Sequence, residues 1–306
     1  MESVFDYLLR APLPGPLDSV PAAWDRHRLV APRFAATVDV ALAAGLGADR
    51  LGFAFLSGYQ EALRALVPEL PADELVAVCA TEAGGAHPSA IATTLTERDG
   101  WTVDGTKSFA TLGIMARRLL VIASIGAVDG RNRLRAALVD ATRPEVTVMN
   151  LPATPFAPEI PHATVTFTGA PARVLPGDGY ADYLKPFRTI EDVHVLAAAL
   201  GWFVRVGREA EWPQWAMQRL LAAIALVRGL DIARPGSPGV HIAFGGAYEY
   251  FDQLRAELEP LWERADAVTR QRWERDRPLL ATAGRVRALR LEAAWQSIAG
   301  AEAQGA

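Results

Sequence analysis

Cysteine is almost missing from this chain: Cys79 is the only one in 306 residues. No disulfide can close within the chain, and a Cys-x-x-Cys metal site is excluded. Cys79 lies in the apolar run Leu75 to Ala80, where a buried structural thiol is expected. Lysine is nearly as scarce, occurring at Lys107 and Lys185 alone, so arginine carries almost all the positive charge. The five histidines (His27, His87, His162, His194 and His241) show neither His-x-His nor His-Glu-x-x-His spacing, which leaves no metal-binding pattern. Blocks of one charge sign are absent and the net charge is -4, so nucleic acid is not an expected partner. No window approaches the roughly 18 uncharged apolar residues of a membrane span. The opening MESVFDYLLRAPLPG has an early acid and too short an apolar run for a signal peptide, so the cytoplasm is the expected location.

What is present is ample core material: 51% hydrophobic against 22% charged residues. Its periodicity divides the chain into three expected domains, 1–75, 76–175 and 176–306. The first is helical, with apolar residues three and four apart over Phe34 to Leu42 and Phe53 to Leu66. In the second the period is two, with short strands expected over Ala90–Glu97, Trp101–Val103, Thr106–Thr111, Leu119–Ser124, Leu134–Val139, Val146–Asn150, Ala163–Thr168 and Arg173–Leu175. Asp99-Gly100 and Asp104-Gly105 both read as hairpin turns. The third is helical again, with helices expected over Thr189–Ala210, Pro213–Ile232, Val240–Val268 and Arg270–Ala299. The expected fold class is therefore α+β: a helical N-terminal region, a small antiparallel β-barrel or sandwich, and a C-terminal four-helix bundle. Trp202, Trp212, Trp215, Trp262, Trp273 and Trp295 fall in the C-terminal helices and read as bundle core and subunit contact.

The stretch Ala80 to Gly113, ATEAGGAHPSAIATTLTERDGWTVDGTKSFATLG, carries the chemistry. Gly84-Gly85 permits a backbone that points successive N–H groups at an anion. Thr81 offers a hydroxyl at the end of a strand. Phe109 and Thr111 are two apart on one strand and share a face, so one can pack on a ring while the other hydrogen-bonds its edge. Without a ligand, the same pattern reads as a β domain with hairpin turns, and His87 as a solvated loop histidine.

The order and separation of Thr81-Glu82-Ala83-Gly84-Gly85 and Asp104-Gly105-Thr106-Lys107-Ser108-Phe109-Ala110-Thr111 resemble the flavin-binding unit of acyl-CoA dehydrogenases. The resemblance implies FAD as cofactor, with Thr81 facing the pyrimidine edge, Phe109 in place of a ring-packing tryptophan, and Thr111 near flavin N5. His87 or Ser89 would take the phosphate contact. It also implies an acyl thioester substrate, carried by coenzyme A or a carrier protein, an electron-transfer partner, a place in fatty acid metabolism and a homodimer or larger homo-oligomer.

The family's usual late glutamate base has no counterpart in Arg270 to Ala299. A minority of the family places the base on the first C-terminal helix, and Glu191, counted back from Gly201, falls at that position with Asp192 where the minority has arginine. The plain alternative is a helix start: Thr189 as N-cap, Asp192 completing a near capping box, and acids favoured by the helix dipole. His194, three residues on, either tunes Glu191 or is a satisfied core histidine. The N-terminal region is short for the family, and Glu209-Ala-Glu-Trp-Pro stands where an Arg-x-x-Phe-Gly loop is usual. The expected function is α,β-dehydrogenation of an acyl thioester. The alternatives are an inactive dehydrogenase-like scaffold serving as partner subunit or binding module, and a flavin oxidase or monooxygenase on the same fold.

Overall fold

A computed structural model describes residues 3–305. The chain divides into two compact units, one of Met1–Ala65, Pro155–Ala157 and Thr189–Ala306, the other of Leu66–Thr154 and Pro158–Arg188.

The first unit is helical. Its N-terminal helices are α1 (Val4–Arg10), α2 (Val20–Val30), α3 (Thr37–Gly47) and α4 (Leu51–Leu66). Ser19 caps α2 by accepting the Ala22 N–H, and Pro21 occupies the first turn, where its missing N–H costs nothing. Helix α3 is buried on nearly every side, as its run of Val, Ala, Leu and Gly dictates. It crosses α5 (Lys185–Glu209) at backbone contact. A Cβ on Gly45 would sit 2.0 Å from the Ala198 carbonyl oxygen, and one on Gly201 would sit 2.0 Å from that of Leu42. Only glycine permits this approach at either position.

The C-terminal helices continue with α6 (Gln214–Arg228), α7 (Pro238–Leu258), α8 (Ala267–Asp276) and α9 (Gly284–Gly305). Helix α7 packs on both α6 and α9, giving the expected bundle, but its boundaries differ from the sequence reading. The expected helix Arg270–Ala299 is broken: a 3-10 turn over Arg277–Ala281, with Pro278 in its first turn, separates α8 from α9. The expected Val240–Val268 helix likewise stops at Leu258, and a 3-10 turn containing Pro260 follows. Proline lacks the donor and clashes with the preceding turn, so each helix gives way there. Helix α5 starts at Lys185, after a π-helical turn over Gly179–Leu184 capped by Asp178, whose carboxylate accepts the N–H groups of Tyr180 and Ala181. Thr189 is thus inside the helix and buried, not its cap, and the capping-box reading of Glu191 and Asp192 is corrected.

Trp202, Trp212, Trp262 and Trp273 build an aromatic core with Phe203 and Phe251, and Trp262 stacks on Trp273 at 4.8 Å. Trp215 and Trp295 are exposed at 42% and 56% and lie outside that core, which leaves subunit contact as the expectation for these two.

The second unit holds seven strands: β1 (Val76–Cys79), β2 (Thr94–Glu97), β3 (Trp101–Thr111), β4 (Arg118–Val128), β5 (Arg131–Asp140), β6 (Val146–Asn150) and β7 (His162–Val174). Strand β4 pairs with both β2 and β5, which closes the ring β4-β2-β3-β7-β5 into a small barrel. Inside it pack Cys79, Leu95, Val103, Ala110, Val121, Ala137, Val165 and Phe167. Burial pushes the Cys79 thiol up to about 12, matching the expected inert structural role. The barrel is mixed, not wholly antiparallel, because β2 runs parallel to β4 within the ring, as β1 does beside it.

Asp99-Gly100 does turn the β2–β3 hairpin. Asp104-Gly105 does not turn. It lies within β3 as a bulge, where the register to β7 slips between Val103 and Gly105. Gly105 has φ +137°, and a Cβ there would meet Thr93 at 2.7 Å. Asp104 accepts the Gly169 N–H at 2.7 Å, so its carboxylate faces β7 and not a hairpin end.

Candidate active site

The two motif blocks are laced together where β1 ends. The Ser108 N–H donates to the Thr81 carbonyl at 2.8 Å. Lys107 Nζ donates to the Ala80 carbonyl at 3.3 Å and to Glu82 Oε1 at 2.6 Å. The Glu82 carboxylate also accepts the N–H groups of Ala92 at 2.8 Å and Thr93 at 3.0 Å. Lys107 is fully buried and Glu82 nearly so. Burial pulls the Lys107 ammonium below its ordinary range. Burial pushes Glu82 the other way, but the hydrogen bonds from Lys107, Ala92 and Thr93 outweigh it and hold the carboxyl below its usual range.

Beyond Glu82 the chain turns back at once. Glu82 and Gly85 exchange backbone hydrogen bonds of 3.0 and 2.8 Å, and Gly85 takes φ +100°. The Gly85 N–H is therefore engaged within the turn, which leaves Ala83-Gly84 as its exposed tip. Arg188 steadies the next residue by donating to the Ala86 carbonyl at 3.3 Å. His87 and Ser89 prove to be one unit: the His87 Nδ1 and Ser89 Oγ lie 2.7 Å apart, both side chains exposed.

Phe109 is the unusual residue of β3. It has φ +60°, within a second register slip between Lys107 and Ala110. A bulky residue in the left-handed region costs about 1–2 kcal/mol. The slip also reverses the simple alternation, so Lys107 points into the core while Phe109, two residues on, is 55% exposed. Ala110 is fully buried and Thr111 half-buried. Opposite them, His162 pairs in register with Thr111, and its ring centre lies 4.5 Å from that of Phe109.

Glu191 belongs to the first unit, half-buried on α5. Its neighbour Asp192 is held by Arg287 at 3.2 Å and by Arg290, which also donates to Thr189 Oγ1 at 3.1 Å. Burial pushes the Asp192 carboxyl up, opposed by the two guanidinium groups. His194 is fully buried. Its Nδ1–H donates to the Ile190 carbonyl at 2.7 Å, so Nε2 accepts the Thr37 hydroxyl at 2.8 Å. Burial lowers it to about 4 and keeps it neutral, as a satisfied core histidine. Among the described residues no cluster of His, Cys, Asp or Glu could hold a metal ion, and no helix is long and apolar enough to cross a membrane.

Sequence reasoning missed the Lys107–Glu82 pair as the join between the blocks, although a lysine at an inward strand position was its visible sign. His162 left no such sign, because the β3–β7 register alone brings it to Phe109.

The acyl-CoA dehydrogenase middle-domain model matches residues 77–170. Butyryl-CoA dehydrogenase from Megasphaera elsdenii superposes with a TM-score of 0.69 and 15% identity, covering 96% of this chain and 96% of that one. The chain therefore has the acyl-CoA dehydrogenase fold, with the family's middle domain recognisable in its sequence. Other structures share this family fold. The prolyl acyl carrier protein oxidase AnaB has a TM-score of 0.66 and 12% identity, over 94% of this chain and 96% of its own. An FAD complex of PigA has 0.65 and 13%, over 89% and 88%. At such identities the likeness is one of fold. A search among curated protein sequences finds no significant match. Thr81, Gly84, Gly85, His87, Ser89, Phe109, Thr111 and His162 all lie within the matched acyl-CoA dehydrogenase domain, and Glu191 lies beyond it.

Proposed function

We propose that the protein is a flavin-dependent oxidoreductase that dehydrogenates an acyl thioester between its α and β carbons. The observation that carries this reading is Phe109: an aromatic ring held out from a barrel strand at φ +60°, against the local cost of that conformation, with Thr111 beside it. Together they fit an isoalloxazine, which needs an apolar face and a hydrogen-bonding edge. Thr81, tied by its carbonyl to Ser108, supplies a second hydroxyl at the same join. The Ala83-Gly84 tip and the bonded His87–Ser89 pair are assigned to the pyrophosphate, with Gly85 shaping the turn that presents the tip.

FAD, when bound, supplies the acceptor for the β-hydride. The protein's part is to exclude water at Phe109, to orient the ring edge at Thr111, and to remove the α-proton. Glu191 is assigned as that base on its place in the first C-terminal helix, ten residues before Gly201, where the minority of the family is expected to carry it. The substrate loses one proton and one hydride and gains a carbon–carbon double bond. A homodimer, an electron-accepting partner and a cytoplasmic site in fatty acid metabolism complete the reading, and exposed Trp215 and Trp295 support self-association.

The test is the visible spectrum of the purified protein, followed by anaerobic bleaching with thioesters of coenzyme A and of a carrier protein. A yellow protein bleached by either supports the proposal. A colourless protein that takes up no added FAD refutes it and favours an inactive scaffold. Rapid oxygen consumption with substrate favours an oxidase.

A further inference from the structure

Phe109 has an aromatic partner. His162 opens β7, and its ring centre is 4.5 Å from that of Phe109 with the planes 38° apart. Its backbone is held on both sides. It is paired with Thr111 in the β3–β7 register. Its carbonyl accepts the Leu151 N–H at 2.8 Å. The nearby Ile160 backbone favours the protonated ring, but partial burial outweighs it, lowers the pKa and favours the neutral form. Phe109, by contrast, sits where the β3 register slips, so ladder pairing does not dictate where its ring points.

We propose that His162 is a positioning residue for the cofactor: its imidazole holds the Phe109 ring in the exposed orientation, so that the flavin meets a ring already set in place. This rests on the flavin reading above. An unsupported exposed phenylalanine would sample several rotamers, and fixing it at binding costs affinity. An aromatic contact already made in the folded protein removes that cost. Such contacts correspond to roughly three- to tenfold in an equilibrium constant.

The test is the FAD dissociation constant, read by quenching of flavin fluorescence in the full chain. His162→Ala and His162→Gln are expected to weaken binding about three- to tenfold. Gln keeps a polar group for the Ile160 backbone but removes the ring. His162→Phe restores the ring and is expected to return affinity to within about twofold of the original. In a Phe109→Ala background, His162→Ala is expected to change the constant no further, because its effect runs through Phe109. A wild-type chain that takes up no FAD overturns the flavin reading and this proposal with it. A wild-type chain that binds FAD while the Ala and Gln variants bind equally well overturns the proposal alone. So does rescue by Gln but not by Phe, which would assign the role to the polar contact with the Ile160 backbone. Far-UV circular dichroism verifies that each variant is folded.

Discussion

Lys107 Nζ lies 2.6 Å from Glu82 Oε1, in a pair whose lysine side chain has no solvent exposure and whose glutamate has 9%. This contact joins the two sequence blocks on which the cofactor reading depends. Removing one partner leaves the other charge buried and uncompensated, which costs about 3–5 kcal/mol. Lys107→Met and Glu82→Gln should each lower stability by that order in urea unfolding, and the double variant should recover part of the loss. Glu82 also gives the pair an acid limit. Its carboxyl is held below the ordinary value of 4.5, so its contribution is complete above that value and disappears as pH falls through the lower folded value.

Phe109→Gly should separate stability from cofactor binding. Glycine adopts φ +60° without strain and recovers about 1–2 kcal/mol, while loss of the ring contact with His162 costs about 1 kcal/mol. The expected result is a melting temperature close to that of the parent protein and a marked fall in FAD affinity. Equal affinity in the variant would remove Phe109 from the site.

Glu191→Gln preserves the shape of the side chain and removes its basicity. Flavin content should be unchanged, and the rate of anaerobic bleaching should fall by about a hundredfold or more. Undiminished bleaching would transfer the role of base elsewhere.

His194 predicts a pH dependence in the helical unit. Its folded value of about 4 lies below the ordinary 6.5, so the stability it contributes is complete above pH 6.5 and falls as the pH drops toward 4. The loss approaches about 3 kcal/mol across that interval. Unfolding free energies measured from pH 7 to 4 should show a slope that His194→Gln reduces by about one proton.

The α3–α5 crossing should be intolerant of a single methyl group. Gly45→Ala and Gly201→Ala each place a Cβ 2.0 Å from a carbonyl oxygen of the facing helix, and neither backbone can retreat cheaply. Destabilisation of about 3 kcal/mol or more is expected, readable as a fall in melting temperature. Gly246→Ala on α7, where a Cβ would meet nothing within 4 Å, is the matched control and should be neutral or slightly stabilising.

The order of helical, β and helical segments was legible because apolar period alone distinguishes them. The same reasoning went wrong where one residue pair has two geometric uses. Asp-Gly at 99–100 turns a hairpin, whereas Asp-Gly at 104–105 bends a continuous strand, and the difference lies in whether β7 is present to pair across it. Pro278 and Pro260 were visible breakers inside helices drawn too long. Thr189 resembled a cap because the true cap, Asp178, precedes an irregular π-helical turn that has no simple sequence period. In the candidate site, Thr81, Phe109 and Thr111 could be found as a motif. The fold had to supply the rest: Lys107 seated on Glu82, His87 bonded to Ser89, and His162 against Phe109.

Because β4 closes the barrel on both sides, the described sheet keeps few open edges, and β6 is one of them, paired only through β7. Its sequence, Val-Thr-Val-Met-Asn, is uncharged and has Met149 exposed at 62%. Such a segment is a template for unwanted strand addition between molecules. Pro144 and Pro152 stand just outside its two ends, where they limit how far a foreign strand could extend the pairing. The closure that builds the barrel core therefore leaves β6 a short edge of five residues with a proline near each end.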